Sequence, residues 1–506
     1  MRLPEVKINK KRVIAVFSAI ALMLLAGCDF EVIKIENEES ENVISGVSGE
    51  LFPDSIATTA PPPLELPEAD EALLPENTPE YENAVNEAFN SGELSKIMPK
   101  AKVSLPGIDI SSQLVNKTEA VIPKEVRELI INFHIDRYAS LGALEFLSTS
   151  QYFDTTDTEG KFYSIFNDTI IEYLIYVRKN RTADLSYDKA FFCVTINEAE
   201  ELPDGYKLTY MINDGIDFAC TGSTSYSTYM EAEVIIRKCK DGSYRFRQYA
   251  EDTDVNLLFE EQVMKSLGYD YESDYLKDKA IPGYFQSSNT MLALLKKQKY
   301  FAQKDIEFQK KILKQVNENP EQYKITPKTK YKYDAEKAVA YSYKWVDKTE
   351  IIRNPDYSDY SIYGGNCQNY VSQCLLAGGI PMDITGDYEA QWKWYSDYAN
   401  YYESAWGRVP SWAGTEAFYQ YSNKNTGTGL SAKTTKYIYT ARPGDVLQYV
   451  VDDWARHSVI VSKIIYDDAG NVVEILVNSN TTDHVDYPLT AYGYTEIRLI
   501  RINGYN

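Results

Sequence analysis

The chain has 506 residues, and its 74 acidic residues against 52 basic ones give a formal net charge of −22. That length can bury at least two cores, and that acidity argues against a nucleic-acid ligand, whose phosphates select basic surfaces. The cysteines and histidines form no pairs at metal-ligand spacing, and the chain has neither a phosphate-cradling glycine loop nor a dinucleotide fingerprint, so no metal or other cofactor is expected.

At the N-terminus, Arg2, Lys7, Lys10, Lys11 and Arg12 form a basic stretch, and Val13 to Leu25 form an apolar one too short to span a bilayer comfortably. Leu25-Ala26-Gly27-Cys28 then matches the lipobox of bacterial lipoproteins. Residues 1–27 therefore read as a lipoprotein signal peptide and Cys28 as the lipidated first mature residue, which would hold the protein on the outer face of the membrane and make any substrate extracytoplasmic. Loss of five basic residues and Glu5 brings the charge to about −26. Such a surface repels anionic head groups, so the acyl anchor rather than electrostatics would keep the protein at the membrane. Residues 28–100, rich in Glu, Asn, Ser and Pro with Pro61-Pro62-Pro63 at their centre, read as a solvated tether.

Over residues 101–286 the pattern predicts a separate α+β domain. Helices are expected near Lys124 to Leu144 and Phe162 to Lys179, followed by strands at Ala190–Asn197, Tyr206–Ile212, Thr228–Lys240 and Ser243–Tyr249, the last two joined at Asp241-Gly242. Helices followed by a curved antiparallel sheet resemble the nuclear-transport-factor-like cone. Residues 287–330 form a connector whose basic amphipathic helix runs from Met291 to Val316. Among Cys193, Cys220 and Cys239 one bridge or three free thiols are both compatible with the spacing.

Residues 331–506 carry the most informative stretch, Gly364-Gly365-Asn366-Cys367-Gln368-Asn369-Tyr370. Two glycines permit a tight turn, Asn366 is placed as an N-cap, and Tyr370, Val371, Cys374 and Leu375 continue a helix until Gly378-Gly379. A cysteine at a helix start meets free N–H groups and the positive dipole end, which stabilise a thiolate. Cys374, two turns on, reads as core. His457 is the best-placed base: it opens the β-branched run Ser458 to Ile465, which a turn at Asp467-Asp468-Ala469-Gly470 connects to a second run from Val472 to Val477. A hairpin without a bulge sets Asn480 opposite His457, where an amide could orient the imidazole; a bulge would pass that role to Asn478 or Asp483.

The segments GGNCQNYVSQCLLAGGIPM, PGDVLQY and RHSVIV, in that order, resemble the Putative amidase domain family of bacteria, a relative of the CHAP and NlpC-type cell-wall cysteine peptidases. The resemblance implies a papain-like α+β fold in which the helix bearing Cys367 packs on an antiparallel sheet. It also implies Cys367 as nucleophile and His457 as general base. Members usually carry Asp-Cys-Thr-Asn-Phe where this chain has Asn366 to Tyr370, and a histidine where this chain offers Asn480.

On this reading Cys367 attacks an amide of peptidoglycan, His457 passes the proton to the leaving amine, and water hydrolyses the thioester. The Cys367 N–H is the first oxyanion donor expected, with Asn366, Gln368 and Tyr363 as candidates for the second. Trp392, Trp394 and Trp412 are candidates for a substrate groove. The alternative is a catalytically inactive wall-binding or envelope-sensing lipoprotein, since such folds can be retained as binding modules.

Overall fold

Alternation along the strands organises the molecule. A computed structural model describes residues 105, 107–269, 281–324, 328–361, 365–394 and 408–506. Within them eleven strands form one sheet. The first five are β1 (Asp109–Asn116), β2 (Tyr187–Leu202), β3 (Gly205–Phe218), β4 (Ser225–Lys238) and β5 (Tyr244–Glu251). The other six are β6 (Leu430–Thr435), β7 (Val446–Val451), β8 (Trp454–Tyr466), β9 (Val472–Ser479), β10 (Asp483–Pro488) and β11 (Ile497–Tyr505). Their order is β1-β2-β3-β4-β10-β9-β8-β7-β11-β6, with β5 also on β4. Only the β1–β2 pair is parallel among these neighbours.

Strand β4 is the seam between the two halves. Tyr226, Ser227 and Thr228 pair with Val485, His484 and Asp483 of β10, whereas Ala232 to Lys238 pair with β5. The stretch expected as a separate domain over 101–286 thus shares its sheet with residues 331–506.

The helices are α1 (Lys124–Ala143), α2 (Thr158–Asn180), α3 (Asp254–Ser266), α4 (Ser288–Glu318), α5 (Ala335–Lys344), α6 (Cys367–Ala377) and α7 (Thr415–Lys424). Local chemistry fixes several ends. Asp157 caps α2 through Gly160 N–H, with Arg178 and Lys179 in its last turn, and Asp334 caps α5 through Lys337 N–H.

Neighbouring strand residues feed opposite cores. Phe192, Val194, Val459 and Val461 pack with Phe133, Phe162 and Tyr173 from α1 and α2 and with Ile306 from α4. Phe191, Cys193, Ile460 and Val446 pack with Tyr370, Leu375, Trp392 and Trp412. Helices of the N-terminal half therefore cover one face of strands from both halves, and α5 to α7 cover the other.

Polar contacts reinforce the seam. Arg178 donates to the Ala491 carbonyl and the Tyr487 hydroxyl, Arg181 donates to the Tyr494 carbonyl at 3.2 Å, and Tyr173 Oη donates to the Gly493 carbonyl at 2.6 Å. Gly493 is required there: φ is 91°, and a Cβ would lie 2.8 Å from Leu174 Cδ2. Cys193, Cys220 and Cys239 are all free thiols. Among the described residues no helix is long and apolar enough to cross a membrane. The expected signal peptide, Cys28, the tether, Tyr363 and the aromatic residues Tyr395, Tyr398, Tyr401, Tyr402 and Trp406 lie outside the described residues.

Candidate functional site

Cys367 is the first residue of α6, where the early N–H groups have no partner within the helix. Gly365, at φ 123°, makes the turn into it. Asn366 holds the N-cap position, but its side chain caps nothing. Its Oδ1 accepts from Tyr360 N–H and Asn369 Nδ2, and its Nδ2 donates to Asn480 Oδ1 at 2.7 Å. Asn366 N–H donates to Thr481 Oγ1 at 2.8 Å. Thr481 sits at φ 112°, a conformation that costs a β-branched residue about 1–3 kcal/mol and that presents this hydroxyl to the cysteine loop.

Below the loop, α6 is buried on every side from Cys367 to Leu375, so its polar side chains find partners inside. Gln368 accepts from Ser458 Oγ at 2.7 Å and donates to Ser372 Oγ, and Gln448 donates to the same Ser458. The side chains of Asn366 and Gln368 are thus engaged in the scaffold, while the backbone N–H groups of Cys367 and Gln368 at the helix start have no partner within the helix.

His457 lies on β8, opposite Tyr449 of β7, and the two rings stack at 5.8 Å. Alternation sends Ser458 and Ile460 toward α6. His457, like Val459 and Val461, turns to the face covered by the N-terminal helices, where its ring lies 6.3 Å from that of Tyr492. The N-terminus of α6 still reaches it, since Cys367 acts on the imidazole. Burial pushes the imidazole down, but the Asp254 carboxylate and the interaction with Cys367 outweigh it and raise His457 to about 9. This balance favours the imidazolium form of His457. The two groups keep 6% of their surface, whereas Cys374 keeps none.

Asn480 is not the orienting group. Tyr466 pairs with Val472, so the β8–β9 turn holds one residue more than the four expected; the shifts at Ile465/Tyr466 and Val461/Lys463 cancel, and Ile460 faces Asn478. Asn480 accepts from Asn366 and donates to the Trp345 carbonyl. The alternatives are also occupied: Asn478 donates to Ser342 Oγ, and Asp483 forms a buried bidentate pair with Arg353 at 2.8 and 3.0 Å. His457 Nε2 is buried without a hydrogen-bond partner among the described residues. His484 bonds Ser479 Oγ through Nδ1 and is lowered to about 3, first by burial and then by the charge of His457.

The tryptophans are core residues, which corrects the expected groove. Trp392 and Trp412 are fully buried and 5.0 Å apart, their ring N–H groups donating to Ser372 Oγ and Asn369 Oδ1. Trp394 is 8% exposed and packs on Tyr357 and Tyr360. Trp412→Ala is expected to cost about 3–5 kcal/mol through the cavity it opens, read as a lower urea midpoint at unchanged slope. An unchanged midpoint would return Trp412 to the groove.

Asp254, whose charge acts on His457, was not singled out by sequence reasoning. The signal for its helix was present: Thr253-Asp254 precedes apolar Val255, Leu258, Phe259 and Val263. Nothing local to that stretch points to His457, two hundred residues away.

Comparison with known proteins finds kinship over part of the chain. A stretch of 155 residues, 30% of the chain, is 34% identical to the "Uncharacterized protein YhbB" of Bacillus subtilis (strain 168). The match spans 43% of that relative's length, less than half of it. No solved structure matches the chain. Residues 332–502 match the family model described as "Putative amidase domain", so the C-terminal part of the chain carries that domain.

Proposed function

We propose that this protein is a membrane-anchored cysteine hydrolase that cuts amide bonds of peptidoglycan outside the cytoplasm. The observation that carries the reading is the pairing of a helix-start cysteine with a histidine: Cys367 opens α6 and acts electrostatically on the buried His457. The lipobox at Cys28 supplies the compartment, and the amidase-family domain supplies the bond class.

In this mechanism the Cys367 thiolate attacks the amide carbonyl, and a tetrahedral oxyanion forms beside the Cys367 N–H. The imidazolium of His457 gives its proton to the departing nitrogen as the C–N bond breaks, leaving a thioester and a free amine. Water then adds to the thioester with neutral His457 taking its proton, the C–S bond breaks, and the carboxylate product leaves the thiolate restored. Since the imidazolium is the proton donor, turnover should fall as pH rises through the His457 value of about 9.

The test is to incubate the full chain with purified sacculi and analyse the soluble products by mass spectrometry. Fragments bearing one new amine for each new carboxyl group are expected, and they name the bond. Intact sacculi, with the protein co-sedimenting, would contradict hydrolysis and favour a wall-binding module.

A further inference from the structure

Between the two halves lies a cavity of about 110 Å³, lined by Arg178, Thr253 and Asp254 from one half and by Thr482, His484 and Tyr492 from the other. An apolar cavity of about 150 Å³ accepts benzene, so this one has room for a small group and none for a sugar ring. His134, Arg178 and Tyr487 of its lining are buried, whereas Met230, Thr253, Asp254 and Thr482 are partly exposed and mark its rim.

Arg178 is the group that lacks a counterpart there. The residue is 4% exposed, and its bonding partners are neutral: Nε donates to the Ala491 carbonyl, Nη2 donates to the Tyr487 hydroxyl, and Cζ lies 5.5 Å from the centre of the Phe218 ring. Its Nη1 is buried without a hydrogen-bond partner among the described residues, a costly state for a cation. The acids that line the cavity with it are engaged elsewhere. Glu251 binds Arg137 and Tyr249, and Asp214 accepts from the Tyr138 hydroxyl and Ser227 N–H. A second idle donor lines the same space. Thr253 holds the N-cap position of α3, yet its side chain caps nothing, and its Oγ1 is buried without a partner among the described residues. The first N–H groups of α3 have no partner within the helix, and Asp254 and Val255 also line the cavity. An unpaired guanidinium, an idle hydroxyl and a helix N-terminus together select an anion. Asp254 in that first turn would repel a dianion such as phosphate, so the fit is to a singly charged carboxylate.

The cavity adjoins the Cys367 site. Thr481, next to Thr482, accepts from the N–H of Asn366, the residue before Cys367. The Tyr492 ring lies 4.9 Å from that of His484 and 6.3 Å from that of His457. We infer that this cavity takes the free carboxylate of the peptide that reaches the Cys367 site, on Arg178 Nη1 and Thr253 Oγ1. The identity of that peptide as a substrate rests on the hydrolase reading; the carboxylate site itself does not. Arg178 and Thr253 lie outside the matched residues 332–502, so recognition of the peptide's end is the contribution of the N-terminal half.

His134 and His484 line the cavity, and the chain has one other histidine, so ring signals of the full chain labelled at histidine carbons report on the site. His457→Gln identifies the third signal. Propionate is expected to shift the His134 and His484 signals saturably, with propionamide and inorganic phosphate binding far more weakly. Arg178→Gln should weaken propionate binding by roughly tenfold or more, and Thr253→Val, which keeps the side-chain shape, should weaken it several-fold. If Arg178→Gln does not fold, Thr253→Val decides. No saturable shift, equal shifts with propionamide, or unchanged binding in a folded variant would overturn the inference. Propionate should also slow sacculus digestion by the wild type; binding that leaves digestion at its full rate would overturn the inference too. Digestion without propionate binding sinks the carboxylate site alone. Propionate binding without any digestion supports the site and sinks the hydrolase reading alone.

Discussion

Residues 331–506 produced alone are expected to be insoluble, or soluble without a cooperative unfolding transition, although they contain the whole matched domain. Excision uncovers the β10 edge that pairs with Tyr226, Ser227 and Thr228, leaving a strand open to association. It also strips the helical layer from Leu447, Tyr449, Val459, Val461 and Val477, all fully buried in the intact chain. Each such side chain gains about 1.5–3 kcal/mol from burial. Five of them reach the scale of a domain's entire stability, about 5–15 kcal/mol. The check is a urea titration followed by circular dichroism, with the chain from residue 103 onward as the comparison. A sharp transition in the short fragment would show that the seam is dispensable.

Cys367→Ala is expected to lower hydrolysis of sacculi by at least roughly 10⁴-fold, because no other group can form the thioester. His457→Gln should bring a loss of similar order, and the double variant should lose little more, since the two residues act as a unit. Folding should survive in Cys367→Ala, where the change removes one sulfur from a site bordered by polar groups. Turnover retained by Cys367→Ala would end the proposed mechanism, whatever the behaviour of His457.

Much of the scaffold was legible. The apolar periodicity of α1, α2 and α4 and the β-branched runs of β2 to β5 and β8 to β9 are local signals, and the structure carries these elements close to the expected bounds. Cys367 and His457 drew attention because a glycine turn before a helix and a histidine opening a strand are local signals too, and in the fold Cys367 acts on the imidazole. What failed was register and partnership. Asn480 was placed by assuming a four-residue turn; the turn holds one residue more, and Asn480 bonds Asn366 instead. The tryptophans drew attention by composition, yet composition does not separate a stacked core from a groove. Asp254 and the β4–β10 seam depend on pairing between distant segments, which no window of the sequence displays.

The most direct test of the Cys367–His457 pair is the alkylation rate of each cysteine by iodoacetamide, followed by peptide mass spectrometry between pH 5 and 10, in the wild type and in His457→Gln. The account predicts that Cys367 reacts fast near neutral pH, that this rate collapses without His457, and that fully buried Cys374 stays unlabelled until denaturant is added. A Cys367 that labels only on unfolding, or at the same rate with and without His457, would contradict it.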